Sequence, residues 1–159
     1  AEFASAKERI YLTTPYFVPD LITQQRLMKA ARRGVDVRLL VPSKSDVPIT
    51  RWAAHAFYGA LMSAGVRIYE YLPRMLHAKT VVIDGRWATL GTANLDYRSF
   101  FLNYELLLVI TEPRECTLLE QHFFEDITES QQIIADAWAK RQWAEKLLEG
   151  VGWALRRWL

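Results

Sequence analysis

The first half of the chain alternates between strand-like and helix-like segments, and this alternation limits the possible folds more than any other feature. Strands are predicted at 9–13, 35–41 and 66–71, because each is short and rich in β-branched, aliphatic or aromatic residues. Helices are predicted at 21–33 and 51–64, each with apolar residues at helical spacing and a glycine after its last turn. Such an order favours parallel strands joined by right-handed crossovers, so an α/β fold is predicted.

The second half of the chain departs from this pattern. Two β segments, 78–83 and 86–90, flank the pair Asp84-Gly85, which is typical of a tight hairpin turn. Another strand is predicted at 103–111, so the sheet is predicted to be mixed but mostly parallel, with helices on both faces. Further helices are predicted at 113–130 and at about 131–149.

Length and composition indicate one domain. The chain has 159 residues, of which 51% are hydrophobic and 24% charged, and a chain of this size can bury a core without disulfides. Its one cysteine, Cys116, excludes an internal disulfide. Residues 1–3 resemble a cloning junction and residues 4–9 the end of a helix, so the chain is predicted to be a fragment that lacks an N-terminal segment. An α/β core is expected at 4–130, followed by a C-terminal helix and a Trp-rich basic tail at 131–159.

The C-terminal segment combines tryptophans with basic residues, which suits the headgroup layer of a membrane. For 131–148, packing onto the domain is an equally good interpretation, whereas contact with a membrane surface is favoured for 151–159. No apolar run is long enough to cross a bilayer, and the net charge of +2 is too small to indicate nucleic acid or an anionic membrane by itself. The residues concerned are Trp138, Lys140, Arg141, Trp143, Lys146, Trp153, Arg156, Arg157 and Trp158.

One cluster carries side chains that suit phosphate chemistry. His77 and Lys79 are two apart on a predicted strand and so share a face, and the hairpin is expected to bring Asn94 back beside His77. An imidazole, an ammonium and an amide together suit the charge that develops on a phosphoryl group in its transition state. Acidic and thiol side chains are too few here for a metal site, so neither a metal nor another cofactor is predicted. Taken singly, each of these residues more often has only a structural role.

The spacing of the cluster, His-x-Lys-x4-Asp-x6-Gly-x2-Asn, resembles the motif of the phospholipase D superfamily. Thr92 stands where that family usually has serine, and the hydroxyl is retained. Other segments resemble the second half of bacterial cardiolipin synthases, so that the resemblance covers nearly the whole chain. The motif residues are His77, Lys79, Asp84, Gly91 and Asn94, and the segments are 14–20, 33–38, 65–71 and 93–100.

The resemblance implies a phosphatidyltransferase half-domain that moves a phosphatidyl group between phosphatidylglycerol molecules through a phosphohistidine. Two motifs meet across one active site in that family, so the partner is expected to be the missing N-terminal half or a second copy of the chain. His77 would be the nucleophile or, because it resembles the second half, the acid–base partner. Lys79 and Asn94 would bind phosphoryl oxygens, and Asp84 would balance charge or hold structure.

The resemblance also leaves other functions open. One alternative is a phosphodiesterase, either a lipid hydrolase or a nuclease that completes its site as a homodimer, and another is a folded half without turnover. The lack of a broad basic patch argues against nucleic acid as a partner. A phospholipid substrate and a membrane surface are the expected partners, and the expected location is peripheral, on the cytoplasmic side of the bacterial inner membrane.

Four further side chains are candidates at this site. Glu105 lies on a predicted strand, where its carboxylate either fixes the tautomer of His77 or merely sits at a sheet end. Tyr16 and Phe17 follow a predicted strand, at the edge where α/β sheets bind ligands, and they either line the substrate pocket or pack in the core. Thr92, which keeps the motif's hydroxyl, is included as a substrate-binding residue.

Overall fold

The computed structural model describes residues 2–141 and 143–155, and over these the predicted α/β fold is confirmed. In chain order the elements are α1 Glu2–Ser5, β1 Arg9–Thr13, α2 Leu21–Arg32, β2 Asp36–Pro42, α3 Pro48–Ser63, β3 Arg67–Tyr71, β4 Thr80–Ile83, β5 Trp87–Gly91, α4 Tyr97–Phe101, β6 Leu107–Ile110, α5 Pro113–Thr128, β7 Ser130–Gln132, α6 Ala135–Ala139 and α7 Trp143–Leu155.

The seven described strands form one sheet in the order β6-β5-β4-β1-β2-β3-β7. β1 pairs in parallel with β2, and β2 pairs in parallel with β3. The other four pairings are antiparallel, so the mixed sheet is confirmed but the expectation of mostly parallel pairing is wrong. The reason is that crossover helices connect only the first three strands, whereas the β4–β5 hairpin, β6 and β7 extend the two edges in antiparallel pairing.

Side chains along β1 alternate between the two faces of the sheet. Ile10 and Leu12 belong to the core under α2 and α3. Tyr11 points to the other face, where its ring stacks on Phe123 of α5 at 5.0 Å between centroids. Helices therefore cover both faces of the sheet, as predicted.

Two predicted elements differ most from the structure in where they begin. α3 begins at Pro48 rather than at 51, because proline is well suited to the first helical turn. β6 covers only the last part of the predicted strand 103–111. The first part of that predicted strand is a loop in the structure. The short helix α4, which precedes this loop, was not predicted.

The single helix predicted at about 131–149 is wrong. Its first residues instead form β7, which pairs with the edge of β3, and the helical pattern that follows is divided between α6 and α7. α7 packs closely on α3, since a Cβ added at Gly152 would overlap with the backbone of Ala53. Arg141, between α6 and α7, donates from Nε to Glu149 Oε1 at 2.8 Å and so ties the two helices together.

The C-terminal tryptophans lie in different environments. Trp138 packs on the domain between His55 and Arg141, whose guanidinium lies 4.0 Å from its ring centroid, so the packing interpretation is confirmed for this residue. Trp143 and Trp153 are 75% and 50% exposed. No helix within the described residues is long and apolar enough to cross a membrane. The predicted tail residues Arg156, Arg157 and Trp158 lie outside the described residues.

Candidate functional site

His77 and Lys79 lie in the extended segment just before β4, and not within the strand as predicted. The backbone still brings them together, because Lys79 Nζ donates a hydrogen bond to the His77 carbonyl oxygen at 2.9 Å. His77 is exposed, and the ring of Tyr16 meets its imidazole edge-on at 6.4 Å between centroids. The imidazole is therefore accessible to a substrate while an aromatic ring limits its position on one side.

A contact outside the motif holds Tyr16 in place. Its hydroxyl donates to Asp46 Oδ1 at 2.7 Å, and burial together with this hydrogen bond raises the pKa of Tyr16 to about 12. The next residue, Phe17, is 1% exposed and packs edge-on against Phe57. Of the two alternatives predicted for Phe17, the structure shows packing in the core rather than lining of the pocket.

Two carboxylates lie close enough to Lys79 to act on its charge. Burial lowers the pKa of Lys79, while the carboxylates of Glu105 and Asp96 act in the opposite direction by favouring the ammonium form. Asp96 is only 5% exposed, and burial raises its own pKa. Among the described residues Lys79 forms no direct ion pair, so its ammonium is available to the oxygens of an anionic ligand.

Asn94 reaches the same place from the other strand of the hairpin. Gly91 N donates to the Lys79 carbonyl oxygen at 3.3 Å, which sets the end of β5 beside Lys79. A side chain at Gly91 would not fit, because an added Cβ would overlap with the carbonyl oxygen of Leu106. Among the described residues, Asn94 Oδ1 is the one buried side-chain nitrogen or oxygen atom without a hydrogen-bond partner. An unpaired buried acceptor is costly, so Asn94 Oδ1 suits a donor group of a ligand, such as a hydroxyl. The NH2 of the same amide is the part that can donate to a phosphoryl oxygen.

The hydroxyl of Ser99, which was not among the predicted site residues, connects the groups of this site. Its Oγ accepts a hydrogen bond from Asn94 N at 3.0 Å and donates one to Glu105 Oε1 at 2.8 Å. Ser99 N donates to Asp96 Oδ1 at 2.7 Å, because Asp96 is the N-cap of α4. Aspartate is favoured at a helix N-cap, and Asp96 is the signal that could have revealed α4 and hence Ser99 in its first turn.

Glu105 lies at the site, but its carboxylate does not bind the imidazole of His77, which was one of its two predicted roles. Its carboxylate accepts hydrogen bonds from Thr92 Oγ1 at 2.5 Å and from Ser99 Oγ, and these bonds hold the pKa of Glu105 below its ordinary value. Within the described part of the chain no hydrogen bond joins Glu105 to His77. Thr92 Oγ1 also accepts from Leu106 N at 3.0 Å, so in this structure Thr92 supports the loop before β6.

Asp84 lies at the opposite end of the hairpin from His77, because His77 precedes β4 and Asp84 follows it. Asp84 has a positive φ of 53°, as the turn predicted from Asp-Gly requires. Its carboxylate accepts hydrogen bonds from the backbone N–H groups of residues 7–9 at 2.8 to 2.9 Å. The structure therefore places Asp84 away from the other motif side chains and gives it a structural contact.

A cavity of about 340 Å³ opens at Lys79 and Asn94. It runs between α2 and the side chains of β4 and β5 and is lined mainly by apolar groups. Such a cavity suits a ligand that joins a phosphate to apolar chains. No group of three or more His, Cys, Asp or Glu side chains in the described ranges could hold a metal ion. The apolar residues that line the cavity are Phe3, Val81, Trp87, Ala93, Leu95, Phe100 and Leu107.

Comparisons with known proteins point to the family that the motif resembles. Residues 1–127 match the protein family described as "Cardiolipin synthase, PLD-like domain". The chain is 41% identical over 149 residues to cardiolipin synthase 2 of Bacillus anthracis and 42% identical over 147 residues to the cardiolipin synthase of Listeria welshimeri. These matches cover 94% and 92% of this chain but 29% and 30% of those proteins. The chain thus spans less than a third of the length of these relatives.

Two solved structures share the fold. Nuc, a phospholipase D family member from Salmonella typhimurium, matches with a TM-score of 0.73 at 19% identity, over 83% of this chain and 86% of that one. The phosphatidylserine synthase of Haemophilus influenzae matches with a TM-score of 0.73 at 18% identity, over 99% of this chain and 43% of that one. At these identities the likeness concerns the fold alone.

Proposed function

Because the chain belongs to the PLD-like domain family of cardiolipin synthases, we propose that it is one half of a phosphatidyltransferase that makes cardiolipin from two phosphatidylglycerol molecules. The observation that carries this proposal is that Lys79 and Asn94 line one largely apolar cavity while His77 lies beside Lys79. In this proposal the α/β core of the half-domain, predicted at 4–130, continues through β7 to Gln132, and α7 serves the membrane.

The reaction proceeds in two displacements at phosphorus. In the first, an imidazole nitrogen attacks the donor lipid, a P–N bond forms, the P–O bond to glycerol breaks, and an acid protonates the departing oxygen. In the second, the same acid, now a base, takes a proton from a headgroup hydroxyl of the acceptor lipid, whose oxygen displaces the imidazole. Two phosphatidylglycerol molecules become one cardiolipin and one glycerol, so atoms and charge balance.

The side chains at the site divide this work. His77 acts as the nucleophile or as the acid–base group, and a second histidine supplies the other function. Lys79 and Asn94 donate to the phosphoryl oxygens and stabilise the negative charge of the transition state. Glu105 favours the ammonium form of Lys79. Thr92 and Tyr16 lie next to these groups, through Glu105 and His77 respectively, and are the proposed substrate-binding neighbours.

The second histidine belongs to an N-terminal half of the protein or to a second copy of the chain. β6 is an edge strand of the sheet and lies directly after the loop that carries Glu105. Its side chains Leu107, Leu108 and Val109 are 49%, 58% and 55% exposed. An exposed apolar edge strand is unfavourable in water and is typical of a surface that another protein segment covers. β6 is therefore the proposed contact surface for this partner.

The proposed lipid substrate requires a surface that docks on the bilayer, and α7 offers one. Four apolar residues of this helix follow each other at intervals of four, so they lie on one face. The opposite face is buried, with Glu149 at 9% exposure and Gly152 against α3. We place the protein peripherally on the cytoplasmic side of the membrane, with this face in the headgroup layer. The four residues are Trp143, Leu147, Val151 and Leu155, which are 75%, 61%, 49% and 41% exposed.

The test is an assay on phosphatidylglycerol vesicles with the chain alone and with the N-terminal remainder of a cardiolipin synthase relative. Mass spectrometry measures cardiolipin, phosphatidic acid and glycerol. We expect cardiolipin and glycerol in equal amounts, and we expect His77→Asn to reduce their formation by about 100-fold or more. His122→Asn, which changes an exposed histidine on α5, is the matched control and retains the activity.

The other outcomes identify the alternatives. Phosphatidic acid and glycerol without cardiolipin would indicate a lipid hydrolase, and cleavage of single-stranded DNA would indicate a nuclease. The absence of any product in both mixtures would indicate a folded half without turnover. Each of these results contradicts the proposal, as does equal activity of His77→Asn and the unchanged chain.

A further inference from the structure

Arg26 lines the same cavity as Lys79 and Asn94. It lies in the second turn of α2, three residues after Thr23, which also lines the cavity. Arg26 is exposed, and among the described residues its guanidinium has no hydrogen-bond or ion-pair partner. A second cationic residue therefore lines the cavity that Lys79 and Asn94 line, and none of the described carboxylates is paired with it.

Other arginines near the sheet differ from Arg26 in this respect. Arg9 is paired with Glu120 at 2.8 Å. Arg38 and Arg67 are both paired with Asp36. A guanidinium presents several N–H donors in a planar fork, and this fork binds a phosphate through two hydrogen bonds when no carboxylate already occupies it.

The position of Arg26 is set by the N-cap of α2 and by the packing of this helix on the core. The carboxylate of Asp20 caps α2 by accepting from Thr23 N at 3.0 Å. On the next positions of the helix, Leu27 and Ala30 are 1% and 0% exposed in the core. The backbone around Arg26 is anchored in this way. The guanidinium can therefore move only by rotation of its own side chain, and it stays near the cavity.

The proposed reaction involves two phosphates and not one. The donor lipid presents the phosphate that reacts, while the acceptor lipid keeps its own phosphodiester, separated from the attacking hydroxyl by the three carbons of its glycerol headgroup. We propose that Lys79 and Asn94 bind the reacting phosphate and that Arg26 binds the phosphodiester of the acceptor lipid. This inference rests on the proposed function, and it explains how the site selects a second phospholipid over water as the acceptor.

One other charged side chain lines the cavity. Glu2 of α1 is exposed and contributes a carboxylate to the same space. Its negative charge opposes the binding of a second anion, but the two cations Lys79 and Arg26 outnumber it. Removal of this negative charge should therefore favour anion binding, and Glu2→Gln is expected to strengthen the binding of a ligand with two phosphates.

The first experiment compares products from phosphatidylglycerol vesicles. A charged hydrogen bond is worth about 1.5–3 kcal/mol, so Arg26→Ala is expected to lower the ratio of cardiolipin to phosphatidic acid about tenfold or more. Arg26→Lys, which keeps the charge but loses the fork, is expected to give an intermediate ratio. Arg32→Ala on the same helix, outside the cavity, is the matched control and leaves the ratio unchanged. An unchanged ratio in Arg26→Ala would overturn the inference.

The second experiment does not depend on turnover and so separates this inference from the proposed function. Two water-soluble probes, deacylated cardiolipin with two phosphates and deacylated phosphatidylglycerol with one, are titrated against the chain carrying His77→Asn, at constant ionic strength. We expect the probe with two phosphates to bind about tenfold more tightly, and Arg26→Ala to remove this preference. Equal affinity for the two probes before the Arg26 substitution, or a preference that survives it, would overturn the inference even if cardiolipin is formed. Loss of the preference in Arg26→Ala supports it even if no cardiolipin is formed.

Discussion

At the scale of single residues, the carboxylate of Asp84 holds the start of β1 against the turn between β4 and β5. Burial by itself would raise the pKa of Asp84, but the hydrogen bonds from the backbone of residues 7–9 outweigh it and hold the pKa below its ordinary value of 3.8. The carboxylate is thus more stable in its ionised form in the folded chain than in the unfolded chain.

We expect Asp84→Asn to lower the free energy of unfolding at pH 7 by about 1–3 kcal/mol, because the hydrogen bonds lose their charged acceptor. Since the folded pKa is depressed, this contribution is complete above pH 3.8 and is lost as the pH falls through the folded value. Urea denaturation at a series of pH values measures the difference. Glu125→Gln on α5, an exposed carboxylate, is the control and changes stability little. A difference that persists undiminished well below the folded pKa would exclude this account of Asp84.

Glu105 acts on Lys79 through charge, and this gives a second prediction. Glu105→Gln keeps an acceptor oxygen for one of the two hydroxyls, of Thr92 or Ser99, and places an N–H donor beside the other. It also removes the negative charge that favours the ammonium form of Lys79. We expect kcat to fall about tenfold, the scale of supporting residues at active sites, and the alkaline limb of the pH–rate profile to move to lower pH.

The pH–rate profile distinguishes this role from simple loop support. If Glu105→Gln loses activity but the alkaline limb does not move, Glu105 only holds the loop in place. If Glu105→Gln keeps full activity, Glu105 has no part in the mechanism. Glu125→Gln is again the control, because it lies on α5 and carries no contact to the site.

Single residues also show how far the site could be predicted from sequence. The hairpin that brings Lys79 and Asn94 to one cavity was predicted from spacing, because a hairpin is a local structure whose geometry its turn residues specify. The partner of Tyr16 could not be predicted, since Asp46 is 30 residues away and no local rule relates the two. The same holds for Asp84, whose contacts are 75 to 77 residues away in sequence.

At the scale of elements, the sequence predicted those segments whose structure depends on local pattern. α2 and the β4–β5 hairpin have a side-chain cap and a turn dipeptide, and both are present. β7 has neither, and it becomes a strand because the edge of β3 offers unpaired backbone groups at Tyr69, Glu70 and Tyr71. Helical spacing at 131–149 could not reveal this pairing, because an interaction between distant strands decided the structure.

The packing of α7 on α3 gives a prediction at this scale with a control in the same helix. A Cβ at Gly152 would overlap with the backbone of Ala53, whereas a Cβ at Gly150 would meet open space. Gly152→Ala is therefore expected to lower the free energy of unfolding by about 1–3 kcal/mol through overpacking. Gly150→Ala is expected to raise it by about 0.5–1 kcal/mol, because alanine favours a helix.

Thermal or urea unfolding measures both glycine variants, and limited proteolysis shows whether cleavage within α7 increases in Gly152→Ala alone. If the two variants change stability in the same direction, then the close approach of α7 to α3 is not the cause. If both lose stability equally, the helix itself is not formed in solution as the structure describes it.

At the scale of the whole molecule, the arrangement of α7 links packing to the proposed site of action. One face of the helix holds it on the domain, with Gly152 against α3 and Glu149 paired with Arg141. The other face leaves Trp143 and Leu147 exposed. If α7 only stabilised the fold, large apolar side chains on its outer face would have no role. A helix that enters the headgroup layer of a membrane buries such side chains there.

This reasoning predicts the behaviour of two matched leucine variants on lipid vesicles. Leu147→Ala removes an exposed apolar side chain from the outer face of α7, and Leu118→Ala removes one from α5; these residues are 61% and 46% exposed. Burial of a methylene group contributes about 0.8 kcal/mol, so Leu147→Ala is expected to weaken binding to phosphatidylglycerol vesicles about tenfold or more, and Leu118→Ala is expected to have no effect. Co-sedimentation with vesicles measures both affinities. If the two leucines contributed equally, the membrane would contact a different surface, and α7 would serve only to cover α3.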